Sequence, residues 1–238
     1  MASAFDADLQ SLRARLLEMG GLAESQLSKA LDAVRRRDLP LATEVVTADA
    51  ELDAREVWLE EMAIRTLALR TPLAQDLRET IAALKIASTL ERIGDLAKNI
   101  ARRVRGLSSV EAPRVSNGIL RMGQLAQAQL AEVLDAYGAR DTVAAVEVWR
   151  RDVEIDELYN SLFRDLVTQM TLEPAMVSQG AQLMFVAKNL ERIGDHTTFI
   201  AEMTYYVVIG QPLGDDRPKG DPMFTVPDLD SPQSDRRT

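Results

Sequence analysis

Leu9, Leu12, Leu16, Met19, Ala23, Leu27, Ala30 and Val34 follow one another at steps of three and four. That spacing predicts an amphipathic helix of about seven turns, with one apolar stripe to bury. Alternation with a period of two, the mark of a half-buried strand, appears nowhere at comparable length. Chain breakers divide the remainder at Asp38-Leu39-Pro40, Thr71-Pro72, Gly106 through Pro113, Gly138 and Glu173-Pro174. The prediction is an all-α protein of six helices, each of roughly 25 to 35 residues and about 40–50 Å long. After Gly210 the sequence turns to QPLGDDRPKGDPMFTVPDLDSPQSDRRT, with five prolines and little periodicity. This segment is expected to be a disordered tail.

The pattern is written twice. LERIGD stands at 90–95 and again at 190–195. MGGLAESQL at 19–27 aligns with MGQLAQAQL at 122–130, an offset of 103 that also carries Arg37-Asp38 onto Arg140-Asp141. The same offset carries Asp49-Ala-Glu-Leu-Asp53 onto Asp152-Val-Glu-Ile-Asp156. By LERIGD the offset is 100, which places a loss of three residues near the turns at Pro72 and Pro174. The chain therefore reads as an internal repeat of a three-helix unit. Two tandem three-helix bundles are expected, residues 1–108 and 109–211, followed by the tail 212–238. Short connections favour antiparallel neighbours within each, and the bundles could lie side by side or end to end.

Composition narrows the partners. With 46% hydrophobic residues in 238, the chain can bury a substantial core. A formal charge of −9, from 37 acidic and 28 basic side chains, argues against a nucleic acid held through its phosphates and favours cations or basic surfaces. The absence of cysteine excludes disulfides and thiolate sites. The start, MASAFDADLQ, lacks the basic and apolar regions of a signal peptide, and the apolar stretch Phe199 to Gly210 is short and interrupted by Glu202. These features predict a cytoplasmic protein without direct membrane insertion.

The candidate chemistry lies in the repeated acids. Asp49/Asp53, Glu91/Asp95, Asp152/Asp156 and Glu191/Asp195 are four i,i+4 pairs, each projecting from one helix face. Taking the first hairpin turn at 71–72, Asp53 and Glu91 lie about 18 and about 20 residues from it, so antiparallel packing brings them to one height; Asp49 and Asp95 match likewise. About the turn at 173–174, Asp156 matches Glu191 and Asp152 matches Asp195. Two groups of four carboxylates are thus expected in half-exposed grooves beside the apolar stripes. Such groups must take up protons, stay hydrated or bind a cation, and oxygen-only donors suit hard cations such as Mg²⁺, Mn²⁺ or oxidised iron.

The plainer readings are solvated acidic surface and local ion pairing. Lys188 could neutralise Glu191, yet Ser88 stands at its counterpart in the first copy, so that pairing does not repeat while the acids do. His196 faces Leu96 across the repeat and reads as structural or solvated. No Glu-x-x-His pair, Gly-rich phosphate loop, HExxH or nucleophile elbow is present. Gly94 and Gly194, inside the repeated word, cost about 1 kcal/mol each in a helix and point to close approach of a neighbour or of the ligand groove. Gly20-Gly21 reads as a crowded helix crossing, and Arg35-Arg36-Arg37 and Arg102-Arg103 as solvated helix ends.

The run LRARLLEMGGLAESQLSKAL, the turn RTPLAQDLR and the blocks LERIGDLAKNIARR and LERIGDHTTFIAEMTYYVVIGQ resemble the PhoU family of regulators of bacterial phosphate uptake, over about residues 9–211. The resemblance implies two similar three-helix bundles and E/D-x-x-x-D motifs able to bind multinuclear metal clusters. Carried over position by position, those motifs fall on Asp49, Asp53, Glu91, Asp95, Asp152, Asp156, Glu191 and Asp195. Iron, manganese, magnesium or zinc is the implied metal. The implied function is a cytoplasmic adaptor that, when phosphate is plentiful, restrains the high-affinity phosphate ABC transporter through its ATPase subunit. The same adaptor keeps the associated sensor histidine kinase from activating the phosphate-starvation response. A homodimer, peripheral at the inner membrane through its partners, is expected. The alternative is a metal-dependent phosphohydrolase built on the carboxylates, for which no nucleophile-orienting group stands beside both clusters.

Overall fold

The computed structural model describes residues 4–69, 74–107 and 113–214. Its elements are α1 (Ala4–Arg36), α2 (Leu39–Leu69), α3 (Ala74–Arg103), a 3₁₀ turn at Val104–Gly106, α4 (Pro113–Ala139), α5 (Thr142–Leu172), a second 3₁₀ turn at Pro174–Met176, and α6 (Val177–Ile209). The periodic positions do what the pattern demands: all eight apolar residues of the α1 stripe are buried. The turn assigned to Thr71-Pro72 and all but the first three residues of the segment read as a disordered tail lie outside the described residues.

α1, α2 and α3 pack on one another, as do α4, α5 and α6, which makes two three-helix bundles. α3 also packs against α6 and α1 against α4, so the bundles lie side by side along four helices that share one core. Each of these cross-contacts joins a helix to its own repeat, as a two-fold arrangement requires. A Cβ placed on Gly20 would meet Leu134 Cδ1 at 2.8 Å. In the reciprocal place, Gly123 faces the end of Leu31. Gly20 and Leu31, shifted by 103, are Gly123 and Leu134. One contact made twice with its partners exchanged identifies a pseudo-two-fold axis between α1 and α4.

An ion-pair cluster crosses the same interface. Glu79 of α3, buried, pairs with Arg13 of α1 and, at 3.0 Å, with Arg140 beyond the end of α4. Burial, with the nearby Glu79 charge, pushes the adjacent Tyr137 phenol well above its ordinary range. At the related position of α6 stands a buried amide, Gln179.

The turns within each unit carry the repeat down to the backbone. Gly138 does not break its helix; the reversal comes two residues later at Arg140, whose φ is 56°, and at its twin Arg37, whose φ is 55°. These left-handed residues end α1 and α4, and the following aspartates close both helix ends. Asp38 N–H donates to Ala33 O at 3.0 Å and Asp141 N–H to Ala136 O at 2.9 Å, the six-to-one bond of a Schellman end. Their carboxylates then cap the next helices: Asp38 Oδ1 accepts from Leu41 N–H, and Asp141 Oδ1 from Val143 and Ala144 N–H. Glycine is absent here because the Arg-Asp dipeptide recovers, in two caps, what the left-handed residue costs. Arg103 also departs from the reading as a solvated helix end, since its guanidinium lies over the Phe185 ring at 4.4 Å and bonds Gln182.

Only the first member of Gly20-Gly21 sits at the crossing; Gly21 is exposed, and a Cβ there would meet nothing within 4 Å. Two neighbouring substitutions should therefore act with opposite sign. Gly21→Ala should raise the unfolding free energy by about 0.5–1 kcal/mol through helix propensity. Gly20→Val should lower it by about 1–3 kcal/mol by forcing Leu134 from its place. Chemical denaturation of both variants measures the pair.

Candidate metal centre

The acids arise on the long hairpins α2–α3 and α5–α6, and the repeated glycines set how closely those helices approach. A Cβ on Gly94 would stand 2.9 Å from Gln26 Oε1 and 3.5 Å from Asp49 Oδ1; one on Gly194 would stand 2.7 Å from Asp152 Oδ1. Absence of a side chain lets Asp152 lie against the facing helix at Gly194, and at Gly94 makes room for Leu52, whose Cδ1 a Cβ would overlap, and for Gln26 beside Asp49. The cost of a mid-helix glycine is thus incurred beside the carboxylate.

The predicted groups do not form evenly half-exposed grooves. Each is graded from inside to outside. Asp49 and Asp152 are buried, at 4% and 1% exposure, because Leu52 and Ile155 one turn on draw that side of the helix into the core. Glu91, Asp95, Asp156, Glu191 and Asp195 are partly covered, and Asp53 is exposed. Burial, then the charges of Asp95, Glu56, Asp53 and Asp49, pushes the Glu91 carboxyl up to about 7. All four acids assigned to the first group, and Glu56 besides, therefore share one field. In the second group burial raises Glu191, hydrogen bonding and charge from Lys188 lower it, and Asp195 and Asp156 raise it.

Lysines and buried amides at the clusters were not among the candidate ligands, although the Lys188–Glu191 pairing weighed in the sequence does form. Lys98 places its ammonium between Asp49, which it contacts, and Asp95 at 2.5 Å, and so joins α2 to α3. Lys188 meets Glu191 Oε1 at 2.7 Å. Each cluster has a lysine, but at positions that do not correspond. Buried amides are the second kind. Gln26 Nε2 donates to Asp49 Oδ1 at 3.2 Å and to Val45 O at 3.3 Å; its repeat Gln129 donates to Arg151 O at 3.1 Å. The Oε1 atoms of both are buried and have no hydrogen-bond partner among the described residues. Their identity within the aligned blocks at 19–27 and 122–130 is the signal that could have singled them out.

His196 is partly buried; burial and the charges of Arg92 and Arg192 push its pKa down. The charge of Asp195, at the edge of the second cluster, acts on it in the opposite sense. Among the described residues, no three His, Asp or Glu side chains are arranged as they stand to hold a metal ion. The donor chemistry nevertheless suits one: oxygen-only groups on facing helices, carboxylates raising one another, and a buried amide oxygen with no donor. A hard cation could be taken by Asp49, Glu91 and Asp95 with Asp53, and by Asp152, Glu191 and Asp195 with Asp156, once the acid side chains turn toward it. Its chemistry there would be charge neutralisation.

A family model described as "PhoU domain" matches residues 16–104 and again 119–204. A phosphate-specific transport system accessory protein PhoU homolog of Caulobacter vibrioides is 46% identical over 218 residues, covering 91% of this chain and 95% of that protein. Its namesake in Rhizobium meliloti is 46% identical over 226 residues, covering 94% and 95%. Among solved structures, PhoU from Pseudomonas aeruginosa is similar with a TM-score of 0.84 and 38% identity, over 87% of this chain and 100% of that one. The phosphate transport system regulatory protein PhoU from Streptococcus pneumoniae gives 0.81 and 29%, over 88% and 99%.

The Glu91 shift sets a pH dependence. In the unfolded chain this carboxyl ionises near its ordinary 4.5, in the folded protein near 7. Below both values it contributes no difference; as pH rises from 4.5 toward 7 the folded state keeps a proton the unfolded chain has released, so stability falls, and the penalty is complete above 7. Glu91→Gln should therefore unfold at a higher temperature than wild type at about pH 8 in chelator. The advantage should vanish by about pH 4.5, which thermal melts across that range will read.

Proposed function

The chain belongs to the PhoU family, and we propose that it is the regulatory accessory protein of a phosphate-specific transport system, not an enzyme. The observation that carries this reading is the doubled match of the family model, together with relatives near half identity that span almost the whole chain and are named as accessory proteins of that system. The proposed role is to restrain the high-affinity phosphate ABC transporter through its ATPase subunit when phosphate is plentiful. By the same contact the protein keeps the phosphate-responsive sensor histidine kinase from activating the starvation response. It acts in the cytoplasm, as a homodimer, and reaches the inner membrane through these partners. No helix of the described residues is long and apolar enough to cross a membrane.

Long helices suit an adaptor because they offer extended faces without a substrate pocket. Apolar side chains that stay exposed repeat with the units: Ile64 with Val167, Leu69 with Leu172, and Leu77 with Val177. They lie toward the α2–α3 and α5–α6 ends of the bundles. Solvent-facing leucines kept at both equivalent positions support docking of the ATPase subunit there. The eight acids, Asp49, Asp53, Glu91, Asp95, Asp152, Asp156, Glu191 and Asp195, are proposed to bind cations that neutralise the clusters between the helices. Iron, manganese, magnesium and zinc are the candidate ions.

Deleting the gene should leave phosphate-starvation genes switched on in phosphate-rich medium. Capture from phosphate-replete cells should recover the transporter ATPase and the kinase. The Leu69→Glu, Leu172→Glu double variant should keep its helical circular dichroism while capturing about tenfold less ATPase, as loss of an apolar anchor does. Normal repression in the deletion strain, or capture of neither partner under conditions that preserve weak complexes, would contradict the role.

A further inference from the structure

We propose that Arg92, Arg192 and His196 form an oxyanion site between α3 and α6, on the pseudo-two-fold axis, and that its ligand is inorganic phosphate. The residues carry the site; the choice of phosphate among oxyanions rests on the reading of the protein as a regulator of phosphate transport.

The repeated word LERIGD contains an arginine as well as its acids, and the two face different neighbours. Glu91 and Asp95 share the field of Asp49, Asp53 and Glu56 on α2. Arg92 belongs to the other side: its charge, with that of Arg192, acts on the His196 ring of α6. The packing of α3 on α6 explains how. These helices run antiparallel, since Arg78 near the start of α3 lies against Gly210 beyond the end of α6, and Arg103 at the end of α3 lies over Phe185 near the start of α6. Stepping inward from either contact by equal numbers of residues brings Arg92 level with His196 and Leu96 level with Arg192. The midpoint falls at Gly94 and Gly194, one position of the repeat on either side of the axis.

Arg92 and Arg192 are therefore the same residue presented twice at one crossing. Helix axes in contact lie about 8–10 Å apart, and the four-residue stagger adds about 6 Å along them, so both side chains can reach one ion held between them. Both arginines are exposed, and among the described residues neither forms an ion pair with a carboxylate. Asp195, beside His196 in sequence, is the acid whose charge also acts on the ring. In a chain of net charge −9, two arginines brought together in this way leave a local positive site. Guanidinium forks match the oxygens of a tetrahedral oxyanion in pairs, which a point charge does not. At the remaining corners stand His196, with ring nitrogens for a hydrogen bond, and its repeat Leu96, 4% exposed, which keeps water from one side. A bound ion would tie α3 to α6 and so one bundle to the other.

The test is phosphate titration of the full chain by calorimetry, in chelator and at one pH, with ionic strength held constant by chloride. NMR of the ring of His196, the only histidine, gives a second reading of the same site. Wild type should saturate in the millimolar range, with ring signals that move along the same curve and with sulfate competing. Arg92→Gln with Arg192→Gln should weaken binding at least about tenfold while helical circular dichroism is kept. Arg92→Lys with Arg192→Lys preserves the charges without the forks and should fall between the two, and it supplies a comparison if the glutamines disturb the fold. Arg105→Gln, at an exposed arginine beyond the end of α3, should bind as wild type does. ATP separates two sources of phosphate oxygens: binding tighter than that of phosphate, and lost with the same arginines, would assign the site to nucleotides and overturn inorganic phosphate as its ligand. No saturation in wild type, unmoved ring signals, or equal binding by wild type and the double glutamine variant would overturn the site. The regulatory role would survive each of these results, because it stands on the doubled family match and is tested by deletion and capture.

Discussion

A carboxylate buried in a helical core has lost most of its hydration, and the protein around it must return that stabilisation through hydrogen bonds or opposite charge. Asp49 and Asp152, each almost wholly buried, impose this requirement twice. Much of the surrounding arrangement follows from it. Gly94 and Gly194 remove the side chains that would collide with the aspartates or with the groups around them. Gln26 bonds Asp49 directly, and Lys98 draws α3 onto α2 through the same carboxylate. The acids further out inherit the problem in weaker form, since Glu91 is raised by burial and then by four neighbouring carboxylates. A compact bundle could be built more stably with apolar residues at these positions, so their presence in both copies asks for a use beyond folding.

That use is consistent with the architecture. The pseudo-two-fold contact between Gly20 and Leu134, mirrored by Gly123 and Leu31, joins the bundles through α1 and α4. α3 and α6 join them a second time, while α2 and α5 pack chiefly within their own units. The acid pairs are divided between the shared helices, α3 and α6, and the outer ones, α2 and α5. Neutralising a cluster would therefore strengthen the hold of an outer helix on the common core. An adaptor that works through helix faces can use such a hold to keep those faces in one arrangement.

The fold is largely legible in the sequence because it is periodic and doubled. The α1 stripe names its own core, and LERIGD at two places announces the repeat and the register of the acids. What escapes is what does not repeat or is not periodic. Lys98 has Thr198 opposite it and Lys188 has Ser88, so a comparison of the two copies discards both lysines, although the structure puts one at each cluster. The burial of Asp49 and Asp152 is hidden because an aspartate beside an apolar stripe reads as rim; only the three-dimensional approach at glycine shows it covered. Gly138 suggests a turn by its residue type, yet the left-handed residues are Arg37 and Arg140, which depend on the capping aspartates that follow them. Side-by-side packing could not be chosen over end-to-end because it depends on side-chain fit between Gly20 and Leu134, far apart in sequence.

The claim on which the functional account turns is that these carboxylates are cation ligands. Anomalous X-ray diffraction at the manganese edge, from crystals of the full chain grown with Mn²⁺, observes this most directly. The account predicts a peak at each cluster, among Asp49, Asp53, Glu91 and Asp95 and among Asp152, Asp156, Glu191 and Asp195. A map without a peak at either cluster, from crystals in which Mn²⁺ is demonstrably present, would contradict it.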